Sequence, residues 1–540
     1  MPLLWLVNHD MVTKRDGPPA KRALYGPPMC INTTLATSLP RYQRDLYVLI
    51  AALVGFLVAI ALMSPLAAYN AAPTEAATIA FIALAFGAST TFAVLSWWIH
   101  RVTQVPDRAQ DPSMTVVLVV VLLTGFGLRL MQLSTVPIYE DDWFRYLWEG
   151  ALTAENISPY TTRPADGFTE DLFGNSRAPS TRDDINALRV ISEKNDHYAY
   201  NVAYPYLSTI YPMGAQTAFA LASKIAPMSL LAWRSVLIGA DLFALTLLLF
   251  FLRLEGRSAL WVSLYWLNPL VIITGFNGAH MDVLLTAPMI LTCLFVRANR
   301  AFFAGLGLGL CAAIKVWPLV LAPLVLRGLM RGGLSFAAIK DQLGRTIALF
   351  LLGLIIIMGP SLWPLFTAAL LDTSGPTSGF AAYANSWQKN AFLFPILERI
   401  VQTIIDAGTL PVAAGFVARI LVAGLISLLT IWLAVTMRTP GVWPTMRASF
   451  IVITTLVFLA PAGYPWYAIW LALFLPFIPN PGVIALCGTF FLYYARFIFL
   501  TADKPDIHSA LLVPMEFGLP LMILISLWAY GRWGPHHDPC

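Results

Sequence analysis

Residues 46–68 read LYVLIAALVGFLVAIALMSPLAA, a stretch that contains no charged side chain. An α-helix needs ~20 apolar residues to cross the ~30 Å hydrocarbon core of a bilayer, so this stretch is long enough to span a membrane. Further apolar runs occupy residues 116–128 with their flanks, 347–362 and 511–530. The strands of a membrane β-barrel would be short and would alternate apolar with polar residues, which these runs do not do. The sequence therefore predicts an all-α polytopic membrane protein.

The overall composition supports this prediction. Of 540 residues, 58% are hydrophobic and 12% are charged, whereas a soluble domain carries about 25% charged residues. The net charge is +5, but the basic residues cluster at predicted helix ends, so we expect no nucleic-acid partner. The cysteines lie inside apolar runs or in the tails, a pattern that predicts neither a disulfide framework nor a zinc motif. They are Cys30, Cys293, Cys311, Cys487 and Cys540.

Apolar segments along the chain predict about 12–14 transmembrane helices. The pairs around 300–330 and 447–479 are short and interrupted by Gly or Pro, so they could be re-entrant or strongly bent. The predicted segments are 47–69, 75–99, 114–134, 231–253, 258–276, 280–297, 300–314, 316–330, 346–366, 411–436, 447–462, 464–479, 482–500 and 511–530.

Basic residues in short loops mark the cytoplasmic side of a membrane protein. The N-terminal tail, residues 1–46, is basic, and alternation from a cytoplasmic start places the other arginine-bearing short loops on the same side. This requires that residues 211–226 lie along the membrane surface as an interfacial helix. The prediction is a multi-pass protein of the inner (plasma) membrane with two long outer loops, 135–228 and 367–410. Long loops in compact helical proteins usually carry function.

The most informative stretch is residues 139–150, which read YEDDWFRYLWEG. Glu140, Asp141 and Asp142 directly follow a predicted span, near the bilayer surface. Adjacent carboxylates repel each other, so the pKa of one of them should rise unless a cation or a metal intervenes. Such a group suits a general base that accepts a proton from a hydroxyl nucleophile.

If this stretch is helical, Asp142 shares one face with Arg145 and Tyr146. Arg145 could then orient the base or bind a phosphate through two parallel hydrogen bonds. The alternative interpretation is a solvated acidic helix start, since acids favour helix N-termini. Aromatic residues interleave these charges, which favours the functional interpretation.

Three ionisable or polar positions near predicted outer turns are further candidates. Tyr211 begins a Tyr-Pro turn before an amphipathic segment, which could line an acceptor groove or anchor the chain in the interface. His280 and Asp282 lie between two apolar spans, where ionisable residues are functional candidates; substrate binding or structural pairing is favoured over metal ligation. Lys315 stands between two short apolar pieces and either binds an anion such as a lipid phosphate or extends to the membrane surface.

Two aromatic loops complete the candidate set. Trp387, Lys389 and Asn390 lie in the second outer loop, and residues 464–467 read YPWY at an outer turn. Aromatic faces with nearby amide or hydroxyl groups suit sugar rings, but they also suit bilayer interfaces. The candidates at this turn are Tyr464, Trp466 and Tyr467.

Taken together, these residues resemble the GT-C superfamily of membrane glycosyltransferases, in particular the bacterial polyprenyl-phosphate-mannose-dependent transferases. The resemblance runs from about residue 114 to the C-terminus. Its most specific part is the acidic motif, Glu140 to Asp142 followed by RYLWEG at 145–150. It continues through NISPY at 156–160, TIYP at 209–212, Asn268-Pro269, His280-Met281-Asp282, Lys315 and Pro465-Trp466-Tyr467.

The resemblance implies a GT-C type helical bundle whose extracytoplasmic loops carry interfacial helices. The catalytic module would span residues 114–366, with the first periplasmic loop at 135–228 and the second at 367–410. The C-terminal transmembrane helices would occupy 411–540. Two features depart from the family pattern. The two predicted helices within 47–113 are an addition without an assigned purpose, and Met213 follows Tyr211-Pro212 where relatives often have a second proline.

The resemblance also implies an inverting hexosyltransferase that faces the periplasm of a bacterial inner membrane. Asp142 is the first choice for the base because similar family members place an arginine three residues after theirs, and Asp141 is the second. Glu140, Arg145 and Tyr146 would bind substrate. The donor would be a sugar on a polyprenyl phosphate, with mannose as the first choice of sugar. The acceptor would be a glycan or glycolipid. Arg145, Lys315 or Lys389 would stabilise the leaving phosphate.

Neither a required cofactor nor the identity of the acceptor follows from these residues. A divalent cation at the acidic triplet stays open, although no further ligands support it. The alternative function is a transporter or flippase of lipid-linked sugars. Transporters usually show inverted repeats and ionisable residues near the membrane midplane, whereas this chain shows no evident repeat and carries its conspicuous charges near one surface. A non-catalytic scaffold that binds partners through the outer loops is a further alternative.

Overall fold

The computed structural model describes residues 39–69, 74–104, 112–168, 170, 178, 181–194, 198–330, 343–371, 378–408, 412–501, 504 and 507–533. Within this part the chain forms helices joined by turns and loops, together with isolated β-bridges. The prediction of an all-helical membrane protein is confirmed. Residues 1–38, which make up most of the predicted N-terminal tail, and Cys30 and Cys540 lie outside the described residues.

The α-helices divide into four groups along the chain. The N-terminal group is α1 (Leu39–Met63), α2 (Glu75–Thr103) and α3 (Pro112–Met131). The first long loop and the span after it contain α4 (Asp142–Ala154), α5 (Asp183–Lys194), α6 (Met213–Ile225) and α7 (Leu230–Leu254). The middle group is α8 (Ser263–Trp266), α9 (Thr286–Arg297), α10 (Ala301–Ile314), α11 (Ala322–Leu329) and α12 (Ala348–Leu371). The C-terminal group is α13 (Gly379–Asn385), α14 (Phe394–Gly408), α15 (Ala414–Thr436), α16 (Val442–Leu459), α17 (Ile469–Ala472), α18 (Pro481–Thr489), α19 (Arg496–Thr501) and α20 (Val513–Trp533).

In the described part of the chain, nine helices are long and apolar enough to cross a membrane. The count is ten if the pair Ala259–Trp266 and Val271–Asn277, bent by 57°, forms one span. The number predicted from the sequence, about 12–14, is higher because it counted short apolar segments such as 300–314 and 316–330, which it also described as re-entrant or strongly bent. In the structure these two segments are short apolar helices on either side of Lys315, and neither is long enough to count as a span.

Side-chain caps fix where several of the helices begin. The Thr74 side chain accepts a hydrogen bond from the Ala77 N–H (3.2 Å) before α2, and Ser229 does the same for α7. Asn480 accepts from two N–H groups at the start of α18. Each cap satisfies N–H groups that have no partner within their own helix.

Small residues allow α10 and α12 to approach closely. A Cβ atom on Gly305 would lie 2.0 Å from the Phe350 carbonyl oxygen, and one on Gly353 would lie 2.0 Å from that of Phe302. Transmembrane helices pack through such small residues because lipid supplies no hydrophobic drive for helix association.

A buried ion pair ties α3 to α7. The Arg129 Nε atom donates to the Asp241 carboxylate (2.5 Å), which also accepts from the Tyr265 hydroxyl (2.5 Å). The side chains of Arg129 and Asp241 are both inaccessible. Since the carboxylate is paired and hydrogen-bonded, its burial is compensated, and we assign this cluster a structural role.

The two long loops meet at one end of the bundle. The first carries α4, α5 and α6, and α6 corresponds to the helix predicted at 211–226. The second carries α13 and α14. Tyr204 of the first loop packs on Trp387 of the second (ring centroids 4.3 Å apart). The Lys389 N–H donates to the Pro461 carbonyl (3.0 Å), which attaches the second loop to the turn after α16.

A second group of connecting segments, the short turns near Glu255, Arg297 and Met437, is held together by hydrogen bonds of its own. Glu255, after α7, accepts hydrogen bonds from Arg297 at the end of α9 (2.5 Å) and from Trp443 of α16 (2.5 Å). Arg327 of α11 donates to the carbonyl of Met437 after α15 (2.6 Å). These turns are among those that the sequence predicted on the cytoplasmic side, and their mutual contacts place them together.

Candidate active site

A cavity of about 560 Å³ lies where the two long loops meet the bundle. It brings together residues that are far apart in the sequence, from the loop after α1 to the end of the 481–500 span. Of the residues predicted to form the site, the walls contain Glu140, Asp141, Asp142, Arg145, Tyr146, Tyr211, Lys315, Trp387, Lys389, Tyr464, Trp466 and Tyr467. His280, Asp282 and Asn390 do not line the cavity and instead contact residues that do, or residues next to them.

Asp142 presents its carboxylate to the cavity from the first residue of α4. Its side chain is 32% exposed, whereas that of Glu140 is 5% exposed. The Tyr146 hydroxyl donates to Asp142 Oδ2 (3.3 Å), one helical turn further along. The helix N-terminus stabilises a negative charge at this position. Asp142 is therefore held in place while its carboxylate remains accessible to a ligand.

Asp141 behaves differently from its neighbour. Burial, then Asp142 and then Glu140 raise the pKa of the Asp141 carboxyl to about 7. This is the effect that the sequence predicted for adjacent carboxylates. Near neutral pH the Asp141 carboxyl therefore exchanges between its neutral and charged forms.

His280 lies behind the acidic segment and is fully buried. Its Nε2 atom is 3.2 Å from Glu140 Oε2, its Nδ1 atom is 3.6 Å from Asp142 Oδ2, and its ring stacks on Trp466 at 3.7 Å. Burial lowers the pKa of the imidazole, but the neighbouring carboxylates, Glu140 first and then Asp142 and Asp282, raise it above its usual value. His280 thus contacts two carboxylates of the site rather than the cavity itself.

Lys315 finds its anionic partner inside the protein. Its Nζ atom donates to Asp282 Oδ1 (2.7 Å), which also accepts from the Trp470 indole (2.6 Å). The ammonium group lies over the rings of Tyr467 (4.8 Å) and Trp470 (5.1 Å). Asp282 is fully buried, so the pair compensates its charge and fixes Lys315 at the cavity wall.

Arg145, like Lys315, already has hydrogen-bond acceptors within the protein. Its guanidinium donates to Glu149 Oε1 (3.1 Å) and to the carbonyls of Leu207 (3.2 Å), Ala203 (2.7 Å) and Tyr204 (3.0 Å). Only 11% of its side chain is exposed. These contacts tie α4 to the segment before α6. They occupy the N–H groups of Arg145 that were predicted from the sequence to bind a phosphate.

Lys389 reaches the cavity from the second long loop, and burial followed by the charge of Arg496 lowers its pKa. Among the described residues, the ion pairs include neither Lys389 nor Arg496. Asn390 points away and donates to the Gly463 carbonyl (2.7 Å) and to Glu516 (2.8 Å). Two cations therefore lie near each other at one wall, and neither forms a direct ion pair in the described chain, although the charge of Asp141 acts on both.

Aromatic side chains form much of the remaining wall and hold one another through their polar groups. The Trp387 indole donates to the Tyr464 hydroxyl (3.0 Å), and Tyr464 stacks on Trp466 (4.4 Å). The hydroxyls of Tyr383 and Tyr467 are 3.0 Å apart. The two aromatic loops singled out in the sequence are thus one connected surface.

Several wall residues were not predicted from the sequence, namely Tyr69, Tyr204, Tyr383, Tyr493 and Arg496. A signal existed for Arg496, because it is a charged residue inside the apolar segment 482–500. Its guanidinium contacts the Tyr493 hydroxyl and lies over the Phe497 ring at 5.0 Å. The tyrosines carried no comparable signal, since isolated tyrosines are common at membrane interfaces.

Among the residues that the structure describes, no group of three or more His, Cys, Asp or Glu side chains could hold a metal ion. Cys293, Cys311 and Cys487 are unpaired and buried. The acidic triplet contacts His280 and also Tyr494, whose hydroxyl donates to Glu140 Oε1 (2.5 Å).

Comparison with known proteins gives one informative similarity. The chain is 25% identical over 159 residues to alpha-(1->6)-mannopyranosyltransferase A of Mycobacterium tuberculosis (strain ATCC 25618 / H37Rv). The aligned region covers 29% of this chain and 27% of that protein, so the similarity is distant and partial. No protein-family model matches the chain, and no solved structure matches it.

Proposed function

We propose that this protein is an inverting membrane glycosyltransferase. It moves a sugar from a polyprenyl-phosphate donor to a hydroxyl of a glycan or glycolipid acceptor, and mannose is our first choice for that sugar. The observation that carries the proposal is the single cavity that places the Asp142 carboxylate and the cations Lys389 and Arg496 among aromatic walls. The distant similarity to a mannopyranosyltransferase supports both the reaction class and the choice of mannose.

Asp142 is the general base in this proposal. Its carboxylate is more exposed than that of Glu140, the Tyr146 hydroxyl donates to it, and His280 lies beside it. Asp141 is the second choice, because its raised pKa leaves part of it protonated near neutral pH. A base must be ionised and within reach of the proton that it accepts.

Lys389 and Arg496 are the cations that we assign to the donor phosphate. Arg145 and Lys315, which the sequence offered equally, already donate to Glu149 and to Asp282. Two neighbouring cations repel each other, so an anion between them is favoured. Charge-assisted hydrogen bonds from such groups to a phosphate are stronger than neutral ones.

The reaction follows from this arrangement. Asp142 accepts the proton of the acceptor hydroxyl, whose oxygen attacks the anomeric carbon from the face opposite the phosphate. The bond between the anomeric carbon and the phosphate oxygen breaks, and polyprenyl phosphate leaves with that electron pair. Lys389 and Arg496 stabilise the charge that develops on the leaving group. The aromatic wall formed by Trp387, Tyr464 and Trp466 packs against sugar rings.

The test is transfer of labelled mannose from polyprenyl-phosphate-mannose by the purified full-length protein. We expect the wild type to release polyprenyl phosphate and Asp142→Asn to lose about 10²–10⁴-fold in rate, the usual contribution of a general base. Asp183→Asn, an exposed acid on the same loop, serves as the matched control and should retain the wild-type rate.

Each other outcome redirects the proposal. Equal activity in wild type and Asp142→Asn would move the base to Asp141 or Glu140. Activity in neither protein, although both are folded, would first call for donors that carry glucose, galactose or arabinose. If all donors fail, movement of lipid-linked sugar across proteoliposomes would replace transfer as the function.

A further inference from the structure

The two helices that precede the expected catalytic module, with the turn after the first of them, contact the residues that lead into the acidic segment. Helices α1 (Leu39–Met63) and α2 (Glu75–Thr103) pack against each other, and the two, with the turn after α1, are called the hairpin below. After α1, the Ala67 carbonyl accepts a hydrogen bond from the Tyr139 N–H (2.9 Å), and Ser64 Oγ accepts from the Val136 N–H (3.2 Å). The hairpin is therefore attached to the strand-like stretch immediately before Glu140.

Tyr139 is held by the hairpin at both its backbone and its side chain. Its hydroxyl is 2.7 Å from Thr78 Oγ1 of α2, and its ring stacks on Phe497 at 4.5 Å. Its φ of 53° is in the left-handed region, which costs free energy for a residue with a large side chain. These contacts maintain that conformation, and the conformation sets the direction in which the next residues enter the cavity.

The loop after α1 also contributes a side chain to the cavity. Tyr69 lines it with 40% of its surface exposed, and its ring is 6.1 Å from that of Phe144 on α4. Burial, followed by the charge of the neighbouring Asp141, raises the pKa of Tyr69 to about 12. The phenol therefore stays protonated near neutral pH and lines the same cavity wall as Asp141.

We propose that the N-terminal hairpin is a working part of the cavity: it fixes the acidic segment through Tyr139, and it supplies Tyr69 as a positioning residue for the Asp141 carboxyl. The effect on catalysis rests on the proposed function, whereas the environment of Asp141 does not. Removal of the Tyr69 hydroxyl should make the Asp141 carboxylate harder to ionise, because a hydroxyl beside the charged form favours that form.

Asp141 is surrounded by charged or titratable groups from several elements. Its own segment contributes two acids, and the hairpin, both long loops and the 481–500 span contribute the others. The groups that face it are Glu140, Asp142, Tyr69, Tyr204, Lys389, Tyr493 and Arg496. Only Tyr69 comes from the hairpin, so a change at Tyr69 isolates the contribution of the hairpin.

The first experiment measures the protonation of Asp141 without any substrate. Dicyclohexylcarbodiimide modifies protonated carboxyls in apolar surroundings, and mass spectrometry of the full-length protein in detergent locates the product. Labelling of Asp141 should decline with a midpoint near pH 7 in the wild type, following its pKa. In Tyr69→Phe the midpoint should rise by about one pH unit, the value expected for the loss of one hydroxyl donor beside a charged group. Asp141→Asn identifies the signal.

The second experiment tests the link through Tyr139. Thr78→Val removes the hydroxyl that contacts Tyr139, whereas Thr91→Val removes one that donates only to Gly87 of its own helix (2.8 Å). We expect Thr78→Val and Tyr139→Phe each to lower kcat about tenfold with little change in KM, the effect of one hydrogen bond to the acidic segment. The double variant should be no slower than either single variant, and Thr91→Val should match the wild type.

The outcomes separate this proposal from the proposed function. A shifted midpoint in Tyr69→Phe, with no sugar transfer from any donor, would retain the role of the hairpin and overturn the transferase. Two results together would overturn the role of the hairpin: a Tyr69→Phe midpoint within about 0.2 pH units of the wild type, and a kcat of Thr78→Val equal to that of Thr91→Val. A difference of about 0.2 pH units is the smallest change in protonation free energy that such a comparison resolves. If Tyr69→Phe does not fold, the comparison of the two threonine variants decides.

Discussion

At the scale of single residues, unusual backbone conformations concentrate beside the candidate site. Tyr139, Tyr204, Ala279 and Asn390 all have φ values between 51° and 58°. Three of them directly precede or follow a candidate residue, and Tyr204 lines the cavity. Left-handed conformations of non-glycine residues persist only where the surrounding contacts maintain them. The residues next to them are Glu140, His280 and Lys389.

Three consecutive acids at a membrane surface need compensation for their charge. His280 contacts Glu140 and Asp142, and Tyr494 donates to Glu140. The raised pKa of Asp141 reduces the charge further, because part of that carboxyl is neutral near pH 7. The cluster therefore keeps an accessible carboxylate, on Asp142, without concentrating three full negative charges.

Lys389→Met tests the assignment of the donor phosphate. We expect KM for the polyprenyl-phosphate sugar to rise about tenfold to a hundredfold, because one charge-assisted hydrogen bond to the phosphate is lost. Lys389→Arg should restore most of the affinity. Steady-state kinetics with varied donor gives both values.

Lys224→Met is the matched control for this change, since Lys224 is exposed at the end of α6. It should leave KM unchanged. If Lys389→Met also leaves KM unchanged while Lys315→Met raises it, the phosphate binds at Lys315 and the assignment is wrong.

At the scale of elements, α4 joins the acidic segment to the first long loop. Asp142 begins the helix, and Glu149, about two turns later, is fully buried. Glu149 Oε2 accepts from the Thr209 hydroxyl (2.7 Å) and from the Gln216 amide (2.7 Å), while Oε1 accepts from Arg145. Burial raises the pKa of Glu149, and these donors oppose that effect. The carboxylate therefore connects α4, α6 and the segment between them.

Glu149→Gln should destabilise the protein although the side chains have the same shape. The amide nitrogen would face donors instead of accepting from them, and Arg145 would lose its charged partner. Breaking a buried pair in this way costs about 3–5 kcal/mol. We expect a clear decrease in the thermal unfolding temperature of the purified protein in detergent.

Glu193→Gln provides the control, because Glu193 is exposed on α5 of the same loop. An unfolding temperature of Glu149→Gln equal to that of Glu193→Gln would mean that Glu149 is already neutral in the folded protein. The connection through a carboxylate would then be incorrect.

The elements also show how far sequence alone could predict this protein. The apolar runs gave the long spans, and the sequence YEDDWFRYLWEG marked the residues of α4 that line the cavity. Tyr69 was missed because it comes from the hairpin, which had no assigned purpose, and Tyr383 because an isolated tyrosine carries no signal. Arg496 was missed although a charged residue inside the apolar segment 482–500 was a usable signal. Apolar content separated the segments at Lys315, but it could not reveal the short 3-10 turn at Pro465–Ala468 inside the predicted segment 464–479.

At the scale of the whole molecule, the contacts separate two groups of connecting segments. The two long loops and the turn after α16 surround the cavity, whereas the turns near Glu255, Ala298 and Met437 meet through Arg297, Trp443 and Arg327. Basic residues are frequent in the second group, which agrees with the direction that the positive-inside rule gives to the chain. A lipid-linked donor would then enter the cavity from the outer leaflet.

Cysteine labelling tests this orientation directly. In a Cys30→Ser/Cys540→Ser background, Asp183→Cys places a thiol on the first long loop and Ala298→Cys places one on the turn between α9 and α10; both positions are exposed. The native Cys293, Cys311 and Cys487 are buried and should contribute little signal. A membrane-impermeant maleimide added to intact cells should label Asp183→Cys at once, because the rule places the loop outside. Ala298→Cys should react only after permeabilisation. The reverse pattern would place the cavity on the cytoplasmic side, where the donor would have to be presented from the inner leaflet.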